Sequence, residues 1–204
     1  MLIDLSQAIT DNSPVYPDSK KMWLRQVCDM EKNGFVSYFL HSDMHNSTHI
    51  DLPMHFGFSD KTVDLYALEN FIGQGVAFDV KGYSTINLQN TPLTDDYNNK
   101  CLLFHTGFSE KYGKTEYYHN HPTISIEFAK ALVKFKVKLV GFDTPSPDFY
   151  PYDVHKLLLN NNIFIVENLT NIEKLLQKKF EFFAFPLKIA AEASLIRAVA
   201  SIEE

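Results

Sequence analysis

The segment SIEFAKALVKFKVKLVGF, residues 125–142, predicts a helix that leads into a buried strand. Ser125 has the short hydroxyl side chain that caps helix N-termini, and the apolar spacing behind it predicts a helix to about Phe135. The uninterrupted apolar run Leu139–Phe142 then predicts a strand covered on both faces, ending at Asp143. A helix followed by a covered strand is typical of a crossover α/β sheet.

The sequence on either side continues this alternation. We expect a strand at Leu102–Phe104, a helix capped by Asp153 and running to Leu159, a strand at Ile163–Val166 and a helix at Asn171–Lys178.

The first half instead has short apolar runs between turn-forming residues, at Leu2–Leu5, Phe35–Leu40 and Val76–Val80. We therefore predict a single α/β domain over residues 1–204, with a β-rich N-terminal half and a crossover α/β C-terminal half.

Composition restricts the class of protein. The chain has 204 residues, of which 45% are hydrophobic, and this content excludes a disordered chain. We expect no membrane partner, because no segment has the roughly 18 consecutive apolar residues of a membrane span. A formal charge of −6 with scattered lysines argues against a nucleic-acid partner. The start, MLIDLSQAIT, lacks a signal-peptide pattern, and Cys28 and Cys101 belong to no pairing or metal motif. We expect two buried thiols and a cytoplasmic protein.

The segment HNSTHIDLPMH, residues 45–55, concentrates chemically active side chains. His45 and His49 are four residues apart, a spacing at which two imidazoles converge from one turn. His49 and Asp51 are two apart, so in an extended chain they point to the same side. Pro53 disfavours a helix through the segment, and we expect a loop that enters a short strand.

Imidazole and carboxylate groups together suit zinc, manganese or iron. Because the set contains no thiol, a catalytic metal is favoured over a structural zinc ion. Single histidines in loops are usually solvated surface residues, but four candidate ligands spaced this closely favour a metal site.

HNSTHIDLPMH resembles the H-x-G-T-H-x-D-x-P-x-H signature of the cyclase family, which includes bacterial kynurenine formamidase and isatin hydrolase. Further segments resemble the family in its order: VYPD at 15–18, HTG at 105–107, HP at 121–122, VGFDTPSPD at 140–148, HKLLLNNNIFIVENLTNI at 155–172 and PLKIAAEASLIRAVA at 186–200. The resemblance implies the family's swivelling β/β/α fold.

The resemblance also implies the roles of six residues. His55 would be the catalytic acid–base. The metal ligands would be His45, His49 and Asp51 for a first ion, and Asp51, His155 and Glu167 for a second ion that Asp51 bridges. We expect one or two Zn²⁺ per chain, with Mn²⁺ as the runner-up.

The implied reaction is hydrolysis of a small amide, such as an N-formyl arylamine, by metal-bound hydroxide with His55 moving the proton. One alternative is a lactam or lactone hydrolase of the isatin hydrolase type. Another is an idle relative that only binds metal or a small carbonyl compound, although the presence of His55 argues against it. The expected partners are a small-molecule substrate and a second copy in a homodimer or higher homo-oligomer.

Four positions depart from the family pattern. Ser47 replaces a glycine, His105 replaces a common arginine, Leu195 replaces a common proline, and Pro17-Asp18 lacks an intervening glycine. At Ser47 the backbone must avoid a glycine-only conformation or accept strain.

Other polar and aromatic residues are assigned structural roles. We expect His119 and His121 in a solvated loop, and Asp143 and Asp148 as turn residues. The aromatic residues Tyr16, Trp23, Phe56 and Phe58 are equally compatible with a substrate pocket and with ordinary core packing.

Overall fold

The computed structural model describes residues 1–17 and 19–202; Asp18, the last residue of VYPD, lies outside them. Within these ranges the strands are β1 (Leu2–Asp4), β2 (Trp23–Cys28), β3 (Ser37–His41), β4 (His49–Asp51), β5 (Ile72–Asp79), β6 (Thr85–Ile86), β7 (Cys101–His105), β8 (Thr123–Ile124), β9 (Leu139–Phe142), β10 (Phe164–Glu167), β11 (Phe180–Phe183), β12 (Ala193–Leu195) and β13 (Val199–Ile202). The helices are α1 (Met30–Asn33), α2 (Ile126–Lys134) and α3 (Asp153–Asn160). None of the described helices is long and apolar enough to cross a bilayer.

A mixed sheet of nine strands organises the molecule, in the order β1-β13-β11-β5-β7-β9-β10-β4-β12. Its centre, β5-β7-β9-β10, is parallel, whereas the strands on both flanks run antiparallel to their neighbours. This confirms the predicted α/β class. The first half of the chain is β-rich, with only the four-residue helix α1, and the second half carries α2 and α3, as expected; strands from both halves join in the one sheet.

Apolar side chains cover both faces of the sheet. Leu103 and Leu139 point into one core, while Leu102 and Val140 point into the other. Helices α2 and α3 pack on the second face through side chains such as Phe128 and Leu158. Two-sided burial explains why the central strands have continuous apolar sequences.

Helix α2 forms as predicted. The Ser125 hydroxyl accepts a hydrogen bond from the Phe128 amide at 3.1 Å, and Phe128, Ala129 and Leu132 face the core. The cap predicted for α3 is wrong. Asp153 is the first helical residue, and the Asp148 carboxylate accepts instead from the Val154 amide at 2.7 Å.

One further expectation is corrected near the C-terminus. The predicted helix at Asn171–Lys178 is only a 3₁₀ turn, Ile172–Leu175, since Asn171 and Gln177 adopt left-handed φ of 59° and 61° on either side of it. The chain then forms the strands β11, β12 and β13, which the sequence patterns did not predict. The ends of the other predicted elements differ from the observed ends by at most four residues, whereas Leu139–Phe142 is correct at both ends.

Strands β2 and β3 pair with each other and lie outside the nine-stranded sheet. We call residues Trp23–His41 the hairpin. Cys28 lies in it and is only half-buried, whereas Cys101 in β7 is buried, so the expectation of two buried thiols holds for Cys101 alone.

Candidate metal centre

Strand β4 presents two of the predicted ligands at the sheet. His49 and Asp51 are separated by one residue, and their side chains are each 1% exposed. β4 lies between β10 and β12, with Glu167 and Leu195 paired to His49 on either side. A three-residue strand buried from both edges fixes these side chains better than a surface loop would.

The turn before β4 brings in His45 and contains the glycine replacement. Ser47 adopts a left-handed φ of 56°, a strained conformation for serine that costs on the order of 1 kcal/mol. Two hydrogen bonds hold the turn: Asn168 donates to the Ser47 carbonyl at 2.8 Å, and the Thr48 hydroxyl donates to the Asn168 carbonyl at 2.7 Å. The chain therefore keeps the expected turn without the glycine.

His155 and Glu167 lie far along the chain but close to β4 in space. His155 is in the first turn of α3, and Glu167 ends β10, the strand beside β4. Both are buried, at 5% exposure each. Glu167 lies at the carboxyl end of the parallel strand β10, where ligand-binding sites of α/β sheets usually form.

Donor atoms of the five predicted ligands converge. His45 Nδ1 lies 2.9 Å from Asp51 Oδ1, and His49 Nε2 lies 3.4 Å from the same oxygen. Glu167 contacts His49 Nε2 at 3.3 Å through one oxygen and His155 Nε2 at 3.1 Å through the other. Ligands about 2.0–2.2 Å from one tetrahedral ion are separated by roughly 3.3–3.6 Å. The two contacts of His49 Nε2 match that spacing, and the other two, at 2.9 and 3.1 Å, are slightly shorter.

The distances also group the donor atoms differently from the two ligand sets that the family resemblance implies. One compact group is His49, Asp51 and Glu167, and the other is His45, Asp51 and His55. Asp51 belongs to both, as expected of a bridging carboxylate, and its second oxygen lies 3.8 Å from His155 Nε2. Glu167 thus lies between His49 and His155 rather than with His155 alone.

In each of the three candidate imidazole ligands, the ring nitrogen that points away from the centre contacts an oxygen of the protein. His49 Nδ1 lies 2.9 Å from the Ser47 carbonyl, His155 Nδ1 2.5 Å from Asp148 Oδ1, and His45 Nε2 3.3 Å from Glu192 Oε1. Such contacts fix the tautomer and leave the inward nitrogen free to bind an ion. These outer contacts are typical of metal-binding histidines.

Asp148 and Glu192 were missed as site residues. Asp148 was expected to be a structural turn residue, yet its two oxygens cap α3 and hold His155. Glu192 lies just before β12 and reaches His45 across 147 positions of sequence. No local spacing pattern identifies contacts of that range.

Two buried atoms test whether the site fits a cation. Among the described residues, His49 Nε2 and Asp51 Oδ1 are buried without a hydrogen-bond partner. They lie 3.4 Å apart, and neither this contact nor the 2.9 Å approach of His45 Nδ1 to Asp51 Oδ1 has hydrogen-bond geometry. Unsatisfied buried polar atoms cost about 1–3 kcal/mol each, and an ion between them would satisfy both. The nitrogen and oxygen donors fit a divalent cation such as zinc or manganese.

The carboxylates dominate the electrostatics. Burial opposes charge on His45, but Asp51 and Glu192 outweigh it and raise the pKa of His45 to about 9. Burial is likewise outweighed at His155, where Asp148 and Glu167 raise the pKa to about 10. The pKa of His49 also lies well above its usual value, because of Asp51 and Glu167.

The acids shift in the opposite direction. Burial would raise the pKa of Asp51, but His45 and His49 hold it well below its usual range. The pKa of Glu167 is lowered by His155 and His49, again against the effect of burial. Without an ion, three protonated imidazoles therefore surround two ionised carboxylates at neutral pH.

His55 differs from these histidines. It lies on the 3₁₀ turn Pro53–Phe56, with its ring centre 4.1 Å from that of His45 and 6.4 Å from that of His155. Burial lowers its pKa, so the imidazole is neutral at pH 7 and able to accept a proton.

A cavity of about 410 Å³ opens onto this centre. His55 lines it together with the aromatic rings of Tyr16, Phe56 and Tyr152. Trp23 instead belongs to the hairpin, and Phe58 is 42% exposed outside the cavity lining. The volume is in the range that holds small organic ligands.

The remaining histidines lie elsewhere. His105, at the arginine position of the family pattern, contacts Asp79 at 3.1 Å. His119 is exposed, as expected, but His121 is 3% exposed with its ring 4.2 Å from that of Phe149. The solvated-loop prediction is therefore wrong for His121.

Comparison with known proteins gives four consistent matches. A family model described as "Putative cyclase" matches residues 3–149. An uncharacterized protein of Methanocaldococcus jannaschii is 33% identical, covering 98% of both chains. A kynurenine formamidase of Bacillus cytotoxicus is 27% identical over 97% of this chain and 95% of its own. Isatin hydrolase A of Ralstonia solanacearum superposes with a TM-score of 0.88 at 20% identity, covering 100% of this chain and 92% of its own.

Proposed function

Because this chain belongs to the cyclase family, we propose that it is a metal-dependent hydrolase of a small amide, with an N-formyl arylamine as the substrate class. The formamidase relative, similar over almost its whole length, supports the choice of bond. The observation that carries the proposal is the convergence of five nitrogen and oxygen donors, with His49 Nε2 and Asp51 Oδ1 left unsatisfied between them.

We propose His45, His49, Asp51, His155 and Glu167 as the ligands of one or two Zn²⁺ ions, with Mn²⁺ as the alternative. A bound divalent ion would act as a Lewis acid toward the amide carbonyl and lower the pKa of a water molecule. Asp148 and Glu192 hold His155 and His45 in the orientation that binding requires.

His55 is the proposed proton carrier. Its imidazole is neutral at pH 7 and lines the cavity beside His45, so it is available to take a proton from the attacking water. The protonated ring then returns that proton to the departing amine. No serine or cysteine nucleophile is required for this sequence of proton transfers.

The cavity walls favour an aromatic substrate. Tyr16, Phe56 and Tyr152 supply ring surfaces on which a flat arylamine can pack, and Ser146 adds a polar group.

We further propose that the protein acts in the cytoplasm.

The test is an assay of purified, metal-loaded protein against an aryl formamide, an aromatic lactam and an aromatic lactone, each with and without EDTA. The proposal predicts formamide hydrolysis that EDTA abolishes and added Zn²⁺ or Mn²⁺ restores. Faster opening of the lactam or lactone would favour the ring-opening alternative. Bound metal without turnover of any of the three would instead favour a non-catalytic binder.

A further inference from the structure

Tyr117 is fully buried although it does not line the cavity at the metal centre. It lies on the 3₁₀ turn Thr115–Tyr118, and its ring packs against that of Phe108, with ring centres 5.7 Å apart. A buried phenol hydroxyl needs a partner within the protein. The side-chain oxygen of Asn168 accepts from it at 2.9 Å, whereas the Asp143 carbonyl is a more distant acceptor at 3.4 Å.

Asn168 connects this hydroxyl to the turn before His49. It follows Glu167 directly, is 3% exposed, and adopts a left-handed φ of 57°, a conformation that asparagine accepts more readily than most residues. Its side-chain nitrogen donates to the Ser47 carbonyl at 2.8 Å, and the same carbonyl lies 2.9 Å from His49 Nδ1. Three hydrogen bonds thus connect a residue outside the cavity to a candidate metal ligand.

The order of donors and acceptors fixes the orientation of the Asn168 amide. Because a carbonyl oxygen can only accept, the amide nitrogen must face Ser47 and the amide oxygen must face the Tyr117 hydroxyl. An amide turned over would place two oxygens about 2.8 Å apart at Ser47. The same rule puts a proton on Nδ1 of His49, so that Nε2, the nitrogen without a hydrogen-bond partner, faces the metal centre.

We propose that Tyr117, acting through Asn168, is a positioning residue for His49; this inference rests on the proposed metal site. The hydroxyl holds the amide, the amide holds the Ser47 carbonyl, and that carbonyl orients the imidazole with Nε2 toward the ion.

Loss of the hydroxyl would act on His49 through the turn. The Asn168 oxygen would be left buried without its donor, and the amide could then turn over. Ser47, strained at a left-handed φ of 56°, would lose a hydrogen bond that holds it, and its carbonyl would no longer fix the imidazole. Outer contacts of this kind usually change metal affinity by about 10–100-fold.

The test is the zinc affinity of Tyr117→Phe, measured by competition with a chromophoric chelator, because phenylalanine keeps the ring and removes only the hydroxyl. We expect the affinity to fall about 10–100-fold. The matched control is Tyr118→Phe, which removes the hydroxyl of the adjacent, half-buried ring 5.2 Å away and should bind zinc like the wild type. A purely structural hydroxyl would lower the unfolding temperature of metal-free Tyr117→Phe and leave the zinc affinity of the folded protein unchanged.

Nitrogen NMR of the metal-free chain, labelled with ¹⁵N at histidine, gives a second readout that needs neither metal nor activity. The Nδ1 proton of His49 should exchange with solvent much more slowly than the ring protons of His119, because the His49 side chain is 1% exposed and His119 is exposed. Tyr117→Phe should lose that protection, and Tyr118→Phe should keep it.

The outcomes separate this inference from the proposed function. Equal zinc affinity in the wild type and Tyr117→Phe would overturn the role of Tyr117 and leave the metal site standing. An unprotected Nδ1 proton of His49 in the wild type would do the same, even if the variant failed to fold. A folded wild type that binds no zinc would instead overturn the proposed function and this inference with it.

Discussion

Loading the metal-free chain with Zn²⁺ at pH 7 should release three protons from the histidines, in addition to the proton given up by an ionising zinc-bound water. Zinc binds neutral imidazole, whereas the metal-free chain carries protonated His45 and His155, with pKa values of about 9 and 10. The pKa of His49 is also well above 6.5. The low pKa values of Asp51 and Glu167 mean that these acids have no proton to lose.

The sign of the pH dependence follows from the same values. Because protons compete with the ion for His45 and His155, apparent zinc affinity should rise from pH 7 toward pH 9. Each displaced proton contributes about tenfold per pH unit, or roughly 1.4 kcal/mol. Above about pH 10 the rise should stop, since the imidazoles are then already neutral.

Calorimetric titration in two buffers of different ionisation enthalpy counts the released protons directly. His55→Ala is the matched control: burial keeps the pKa of His55 low, so the variant should release the same three histidine protons. Zinc binding at pH 7 without proton release would refute the electrostatic account of the centre. Loss of binding in His55→Ala would instead show that His55 is a ligand.

Three further predictions test individual residues. His55→Ala should lower turnover by about 10²–10⁴-fold with unchanged metal content; unchanged turnover would remove His55 from the mechanism. Asp148→Asn should weaken metal binding about 10–100-fold in a chelator competition, because it loosens His155; wild-type affinity would show that the contact is incidental. Gly141→Ala places a Cβ 2.5 Å from Leu103 Cδ2, so we expect the free energy of unfolding to fall by about 1–3 kcal/mol, measured by thermal unfolding. Wild-type stability would mean that the core relaxes to accept the methyl group.

The sequence predicted the centre of the fold better than its margins. Both ends of the strand Leu139–Phe142 were predicted correctly, because a strand covered on two faces has an unbroken apolar sequence. Strands β11 to β13 are short and pair with segments distant in sequence, including β1 and β5, so local patterns carried little information. The helix expected after Asn171 failed because left-handed residues on both sides limit it to one turn.

The candidate site was predictable to different depths. Close spacing alone grouped His45, His49 and Asp51, because neighbouring residues in a strand and turn share a side. His155 and Glu167 followed only from family resemblance, since the fold brings them together across a parallel crossover. The contacts of Asp148 with His155 and of Glu192 with His45 could not be predicted from sequence, because they depend on tertiary packing.

Five residues are proposed to hold divalent metal, with Asp51 common to both groups of donors. Elemental mass spectrometry of the purified chain, incubated with Zn²⁺ and desalted, measures this most directly. We expect one or two ions per chain for the wild type and close to none for folded Asp51→Ala, which loses the oxygens facing His45, His49 and His155. A folded wild type that retains no metal, or an Asp51→Ala variant that retains the full complement, would contradict the account.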